Sequence, residues 1–148
     1  MELIMLIGIP GSGKSSFVKN FLFDDYLRIS LDLFNTRNKE KRFMELALNL
    51  QQRMVIDNTN VSKAERSRYI AEAKIRKFQV TGYYFESQLS ICLDRNEKRL
   101  GKERIEKVGV IAKFKQLELP GYDEGFDKLY YVSIENDLFK INDWKNEV

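Results

Sequence analysis

A chain of 148 residues with 43% hydrophobic and 32% charged residues has the length and composition of one domain, 1–148, with enough apolar chain for a real core. It has no histidine and one cysteine, Cys92, which excludes a structural zinc site and an internal disulfide. The net charge of +3 is unevenly spread. Residues 118–148 carry 8 acids and 3 bases, leaving 22 bases and 14 acids, a net of +8, in residues 1–117. A basic body suits a phosphate-rich ligand, and equally a solvated surface.

Leu3–Ile9 is a continuous apolar run, as expected of a strand buried on both faces. It lacks a positive n-region and a small-residue cleavage site, so it does not read as a signal peptide. No apolar run is long enough to cross a bilayer; a cytoplasmic location with no membrane contact is expected. A helix is predicted from about Gly13 to Phe23, then a second strand over Tyr26–Leu31. Phe43, Leu46, Ala47 and Leu50 recur at three- and four-residue spacing, predicting a helix over Glu40–Gln52. Met54–Asp57 is a short third strand. Ser62 with Glu65 forms a capping box that starts a helix over Lys63–Lys77.

Gln79–Glu86 is a fourth, aromatic-rich strand, in which Tyr83, Tyr84 and Phe85 belong to core and sheet face. Leu89, Cys92, Leu93 and Leu100 mark one face of the next helix, with Cys92 a core residue rather than a nucleophile. Gly101 interrupts, and a basic helical stretch covers about Glu106–Leu117, giving a basic segment over about 95–117. Lys128–Ile134 is a fifth strand. Asn136–Val148 is amphipathic, with Trp144 docking on the core. Strands alternating with helices predict an α/β fold with a parallel sheet.

The strongest chemical signal is Gly8-Ile9-Pro10-Gly11-Ser12-Gly13-Lys14-Ser15, followed by Ser16 at the helix start. Glycines let the backbone wrap tightly and aim N–H groups at phosphate oxygens, and the helix N-terminus adds a favourable dipole. Lys14 can reach β- and γ-phosphates and Ser15 can ligate Mg²⁺, so ATP and Mg²⁺ are the expected cofactors. Asp32 follows the second strand, where a carboxylate could take a proton from an attacking hydroxyl; a helix cap or turn residue is the other reading. Asp57 ends an apolar strand, as an acid supporting the Mg²⁺ shell does, or as a turn aspartate does. Arg95 and Arg99 share a helix face, and with Lys98, Lys102 and Arg104 could form a lid over a triphosphate. The interleaved Glu97, Glu103 and Glu106 allow a salt-bridged surface helix instead.

The order of the P-loop, Asp32, Asp57-Asn58-Thr59-Asn60 and Arg95-Asn96-(x)2-Arg99, closing on Leu119-Pro120 and Tyr122-Asp123-Glu124-Gly125-Phe126-Asp127, resembles the polynucleotide 5′-kinase group of P-loop kinases, including its small bacterial and phage members. The resemblance runs from about Leu3 to Ile134. It implies a three-layer fold with a five-stranded parallel sheet flanked by helices. It also implies Asp32 as general base, Asp57 and Asn58 as the motif ending the third strand, Arg99 as a lid arginine, and Arg95 in register before it. Two places depart from the group. Asn35 stands where some members carry an arginine for the acceptor phosphate, with Arg37 available only by another path, and Ile105 stands near a lid proline of many members.

The expected activity is therefore transfer of the γ-phosphoryl group of ATP to a hydroxyl, with the 5′ end of RNA or DNA as acceptor and no obligate protein partner. A kinase of a sugar, nucleoside or antibiotic, and a nucleotide-binding ATPase module without acceptor chemistry, are the alternatives.

Overall fold

The computed structural model describes residues 1–145. Its sheet has six strands: β1 (Glu2–Ile7), β2 (Leu27–Ile29), β3 (Met54–Ile56), β4 (Gln79–Phe85), β5 (Lys128–Glu135) and β6 (Leu138–Asp143), in the order β2-β3-β1-β4-β5-β6. The first five are parallel, as expected, and β6 runs antiparallel to β5. The helices are α1 (Lys14–Phe17), continued by a π-helical stretch over Val18–Leu22, then α2 (Leu31–Phe34), α3 (Arg37–Asn49), α4 (Lys63–Ile75), α5 (Leu89–Glu97) and α6 (Lys107–Gln116). Among the described residues no helix is long and apolar enough to cross a membrane.

Burial on both faces explains the apolar run of β1. Successive side chains of a strand point to opposite faces. Leu3, Met5 and Ile7 join Met44, Ala47 and Leu48 of α3 and Tyr69, Ile70 and Ala73 of α4 in one core. Ile4 and Leu6 join Phe17, Val18 and Leu22 on the other side. A third cluster of Ile9, Val61, Cys92 and Val110 packs α5 and α6 beneath the segment after β1. Ser62 caps α4 as predicted, its Oγ accepting from Glu65 N at 3.1 Å. Trp144 docks as predicted, 7% exposed, with its ring edge-on to Tyr84. Tyr84 and Phe85 are buried, and Tyr83 stacks on Tyr130.

Four expectations change. The amphipathic tail forms β6, turned back by Asn136 and Asp137, both with positive φ (52° and 62°), the two-residue geometry whose twist suits a hairpin; residues 146–148 of that tail lie outside the described residues. The second strand stops at Ile29, because the Ser30 side chain accepts from Asp32 N and opens α2. The buried face of α3 is Glu40, Met44, Ala47 and Leu48 rather than the stripe through Phe43. Phe43, Leu46 and Leu50 are exposed and line an open groove with Phe23 and Leu27, Phe43 stacking on Phe34. Leu100 lies beyond the end of α5 and is 87% exposed.

Candidate active site

In an open parallel sheet, ligands sit beyond the carboxyl ends of the strands where the strand order reverses. Here β1 lies between β3 and β4, so the segments leaving β1, β2 and β3 share one crevice. They carry the P-loop, Asp32 and the run Asp57-Asn58-Thr59-Asn60.

The P-loop needs its glycines. Gly11 (φ 87°) and Gly13 (φ 104°) occupy the left-handed region, and a Cβ on Gly11 would collide with the Cys92 carbonyl. The loop wraps the Lys14 side chain. Lys14 Nζ donates to Gly8 O at 2.8 Å and to Ile9 O at 3.0 Å. Burial lowers its pKa from 10.5 to about 8, against the attraction of Asp57 and, more weakly, of Asp32; the nearby Arg99 adds to the lowering. Ser15 Oγ donates to Asp57 Oδ2 at 3.3 Å. The same oxygen accepts from Arg28 Nε at 2.7 Å, and the Asp57 side chain is only 2% exposed.

A hydroxyl and a carboxylate so juxtaposed form a hard oxygen pair. Mg²⁺ is commonly held by one or two protein oxygens plus substrate phosphates and water, so Ser15 and Asp57 fit it. Among the described residues there is no group of three or more metal-type acids, histidines or cysteines, so a closed all-protein metal cage is not what these residues build.

Each residue of the Asp57–Asn60 run fastens β3 to a different neighbour. Asp57 meets Ser15 and Arg28. Asn58 accepts from Leu31 N at 2.9 Å and donates to Glu40 Oε2 at 2.8 Å. Thr59 O accepts from Gly8 N at 3.0 Å. Asn60 (φ 47°) donates to Leu6 O at 2.7 Å. A short run thereby locks the P-loop, the turn bearing Asp32 and the end of β1 into one frame.

Asp32 lies in the first turn of α2 with its side chain exposed to solvent. Asn35 ends that four-residue helix at φ 71°, a backbone conformation asparagine tolerates better than arginine does. Arg37 donates to Tyr69 Oη at 2.9 Å and pairs with Glu40 at 3.4 Å. Tyr69 Oη in turn donates to Glu40 Oε1 at 2.6 Å; burial and then the Glu40 carboxylate raise the pKa of its hydroxyl.

The basic segment is partly lid-like and partly a paired surface. Arg95 Nη1 donates to Gly11 O at 3.5 Å, touching the P-loop. Arg99 donates to Glu103 O, and Arg104 pairs with Glu97 at 2.7 Å. Asn96 is fully buried, accepting from Ile105 N at 3.0 Å and donating to Ile105 O at 2.5 Å. A proline at Ile105 would lack that N–H. Gly101 (φ 63°) opens the turn between the two helices.

Arg28, Glu40, Arg66, Tyr69 and Asn96 carry this frame and were not singled out as such by sequence reasoning. The one available signal was Glu40, an acid in phase with Met44, Ala47 and Leu48 on a buried face. The others depend on partners distant in sequence.

Comparison with known proteins agrees with this architecture. The model of a family described as an AAA domain matches residues 3–118. The chain belongs to that family. A putative bifunctional polynucleotide phosphatase/kinase of Acanthamoeba polyphaga mimivirus is 35% identical over 97% of this chain and 36% of its own length. A bifunctional polynucleotide phosphatase/kinase of Schizosaccharomyces pombe is 27% identical over 88% of this chain and 33% of its own. The chain thus spans about a third of the length of these relatives. A gluconokinase from Sinorhizobium meliloti 1021 superposes with a TM-score of 0.62 at 16% identity, covering 89% of this chain and 82% of that one, a likeness of fold. Family and fold together give this chain a kinase-like P-loop fold.

Proposed function

We propose that this protein transfers the γ-phosphoryl group of ATP to a hydroxyl, and that the acceptor is the 5′-hydroxyl of a nucleic acid. The observation that carries the reading is the convergence of a buried P-loop lysine, the Ser15–Asp57 oxygen pair and the turn bearing the exposed Asp32, which Asn58 ties to the same frame. Lys14 and the loop N–H groups hold the phosphates. Ser15 and Asp57 are the residues that would hold Mg²⁺, which when bound neutralises charge on the phosphate oxygens. Arg28, paired with Asp57 through the same Oδ2 that meets Ser15, offsets the charge of that buried carboxylate.

Asp32 accepts the proton of the acceptor hydroxyl as its oxygen bonds to the γ-phosphorus and the bond from that phosphorus to the bridging oxygen breaks, leaving ADP. Arg95 and Arg99, on the segment that touches the P-loop, offset charge on the transferring group. Support for a nucleic-acid acceptor comes from two sources. The mimivirus relative is named a polynucleotide phosphatase/kinase. The first turns of α3, next to Asp32, expose Lys39, Lys41 and Arg42.

One observation favours a small-molecule acceptor. Asn35 stands where some members of the polynucleotide 5′-kinase group that the sequence resembles carry an arginine for the acceptor phosphate, and Arg37 is engaged with Glu40 and Tyr69. Transfer from γ-labelled ATP across a panel of 5′-hydroxyl RNA and DNA oligonucleotides, nucleosides and sugars separates the readings. The proposal expects label on oligonucleotide 5′ ends. Label on a nucleoside or sugar alone replaces it with the small-molecule reading, and ATP hydrolysis without any labelled acceptor replaces both with an ATPase module.

A further inference from the structure

Glu40 is an acid at a core position. Its side chain is 4% exposed, and it occupies the buried face of α3 one turn before Met44. An apolar side chain would pack there without the cost of burying a charge. What the carboxylate adds is acceptors aimed at named donors: Asn58 Nδ2 on Oε2 at 2.8 Å, and Tyr69 Oη and Arg37 Nη1 on Oε1 at 2.6 and 3.4 Å.

The bond to Asn58 matters because an amide has two unlike ends. A carboxylate offers only acceptors, so Glu40 draws the NH₂ end of Asn58, both directly and through Tyr69 Oη, which donates to Glu40 and accepts from Asn58 Nδ2 at 3.3 Å, and leaves Oδ1 facing the other way. Oδ1 then takes the N–H of Leu31 at 2.9 Å. Reversed, the amide would set its NH₂ against the Leu31 N–H and its oxygen against a carboxylate. Leu31 is the first residue of α2 and Asp32 is the second. This helix has four residues, too few to hold its own orientation. It is fastened through Leu31 N and through the stacking of Phe34 on Phe43, with centroids 4.4 Å apart.

We propose that Glu40 is a positioning residue for phosphoryl transfer: it fixes the amide of Asn58, which fixes the N-terminus of α2 and so the direction of the Asp32 carboxylate. The inference rests on the reading of Asp32 as general base. Glu40 touches neither substrate nor Asp32, and its effect is on turnover rather than on nucleotide affinity.

The test compares Glu40→Met, which removes both carboxylate acceptors at similar size and leaves Asn58 Nδ2 only the longer contact to Tyr69 Oη, with Glu40→Gln, which keeps one carbonyl for Asn58. Two readouts are taken: amide hydrogen exchange at Leu31, and transfer rate alongside ATP affinity. In Glu40→Met the Leu31 amide loses protection and turnover falls about 10–100-fold, as expected of a misdirected catalytic group, with ATP affinity unchanged. Glu40→Gln recovers most of both. In an Asp32→Asn background, Glu40→Met causes no further loss. If Glu40→Met does not fold, Asn58→Ala cuts the same relay and is expected to give the same pair of effects. Unchanged Leu31 protection and turnover in a folded variant overturns the proposal, as does an equal fold-loss with and without Asp32. If Asp32→Asn alone leaves transfer intact, the base reading fails, and the Leu31 exchange result still reports whether Glu40 holds the turn.

Discussion

Arg66 grips Glu124 through two N–H···O bonds, Nε to Oε1 at 2.8 Å and Nη2 to Oε2 at 3.2 Å. The guanidinium is 0% exposed and also donates to Asn60 O and Val61 O, at 2.9 and 3.1 Å. Two stretches far apart in sequence, the Asp57–Asn60 run and the Tyr122–Asp127 ending, are therefore joined through one side chain of α4. Their joint presence in the sequence has a structural cause.

Arg66→Leu leaves Glu124 buried with the N–H of Gly121 as its remaining partner. Removing one member of a buried pair costs about 3–5 kcal/mol. Urea unfolding of Arg66→Leu is expected to show a loss of that order, with part of it recovered in the double variant Arg66→Leu/Glu124→Leu. A loss under about 1 kcal/mol would contradict a buried pair of this kind.

Much of this frame was legible before any coordinates. The P-loop, the capped start of α4 at Ser62 and the strands β1 and β4 are local patterns, set by glycine geometry, a side-chain cap and residues buried on both faces. What escaped was non-local. The β6 strand pairs along a single edge and keeps Leu138 exposed, so its hydrophobic alternation is weak, and its Asn136-Asp137 turn lacks the usual glycine. On α3 two apolar stripes compete, and the sequence does not tell which one meets the sheet. Arg28 is an ordinary strand residue until Asp57 is brought beside it by the pairing of β2 with β3.

Lys14 gives the nucleotide-free protein a pH signature. Its folded pKa is about 8, against 10.5 for the ordinary side chain, with burial the largest cause. Below about pH 8 both states hold the proton, and the folded state bears the full cost of a buried ammonium. Between about 8 and 10.5 the unfolded chain holds more protons, so this group's contribution to stability rises with pH across that window. Tyr84, which is buried, and Tyr83, which is half-buried, have pKa values raised chiefly by burial and act in the opposite sense at higher pH. The informative quantity is therefore the difference between wild type and Lys14→Met in urea unfolding. That difference is expected to shift in favour of wild type from pH 8 to 10, and a flat difference would contradict the lowered pKa.

Acceptor binding should carry an electrostatic signature. Each phosphate of a single strand neutralised by the protein adds about 0.7 to the slope of log affinity against log salt. The affinity for a 5′-hydroxyl oligonucleotide is expected to fall clearly with added salt. The triple reversal Lys39→Glu, Lys41→Glu and Arg42→Glu, on exposed positions of α3, is expected to weaken it while sparing ATP binding. Equal binding by the triple variant, measured by fluorescence anisotropy, would remove these three residues from the acceptor path.

The most direct test of phosphoryl transfer to a 5′-hydroxyl is one paired measurement. Wild type and Asp32→Asn are given γ-labelled ATP and a 5′-hydroxyl oligonucleotide, and transfer rate and ATP affinity are read for both. Asp32 is exposed and held by backbone on a capped turn, so the substitution leaves the P-loop intact. The account predicts label on the 5′ end with wild type, a loss of about 10²–10⁴-fold in rate for Asp32→Asn as for a missing general base, and the same ATP affinity in both. Absence of label with wild type, or equal transfer by the two proteins, would contradict it.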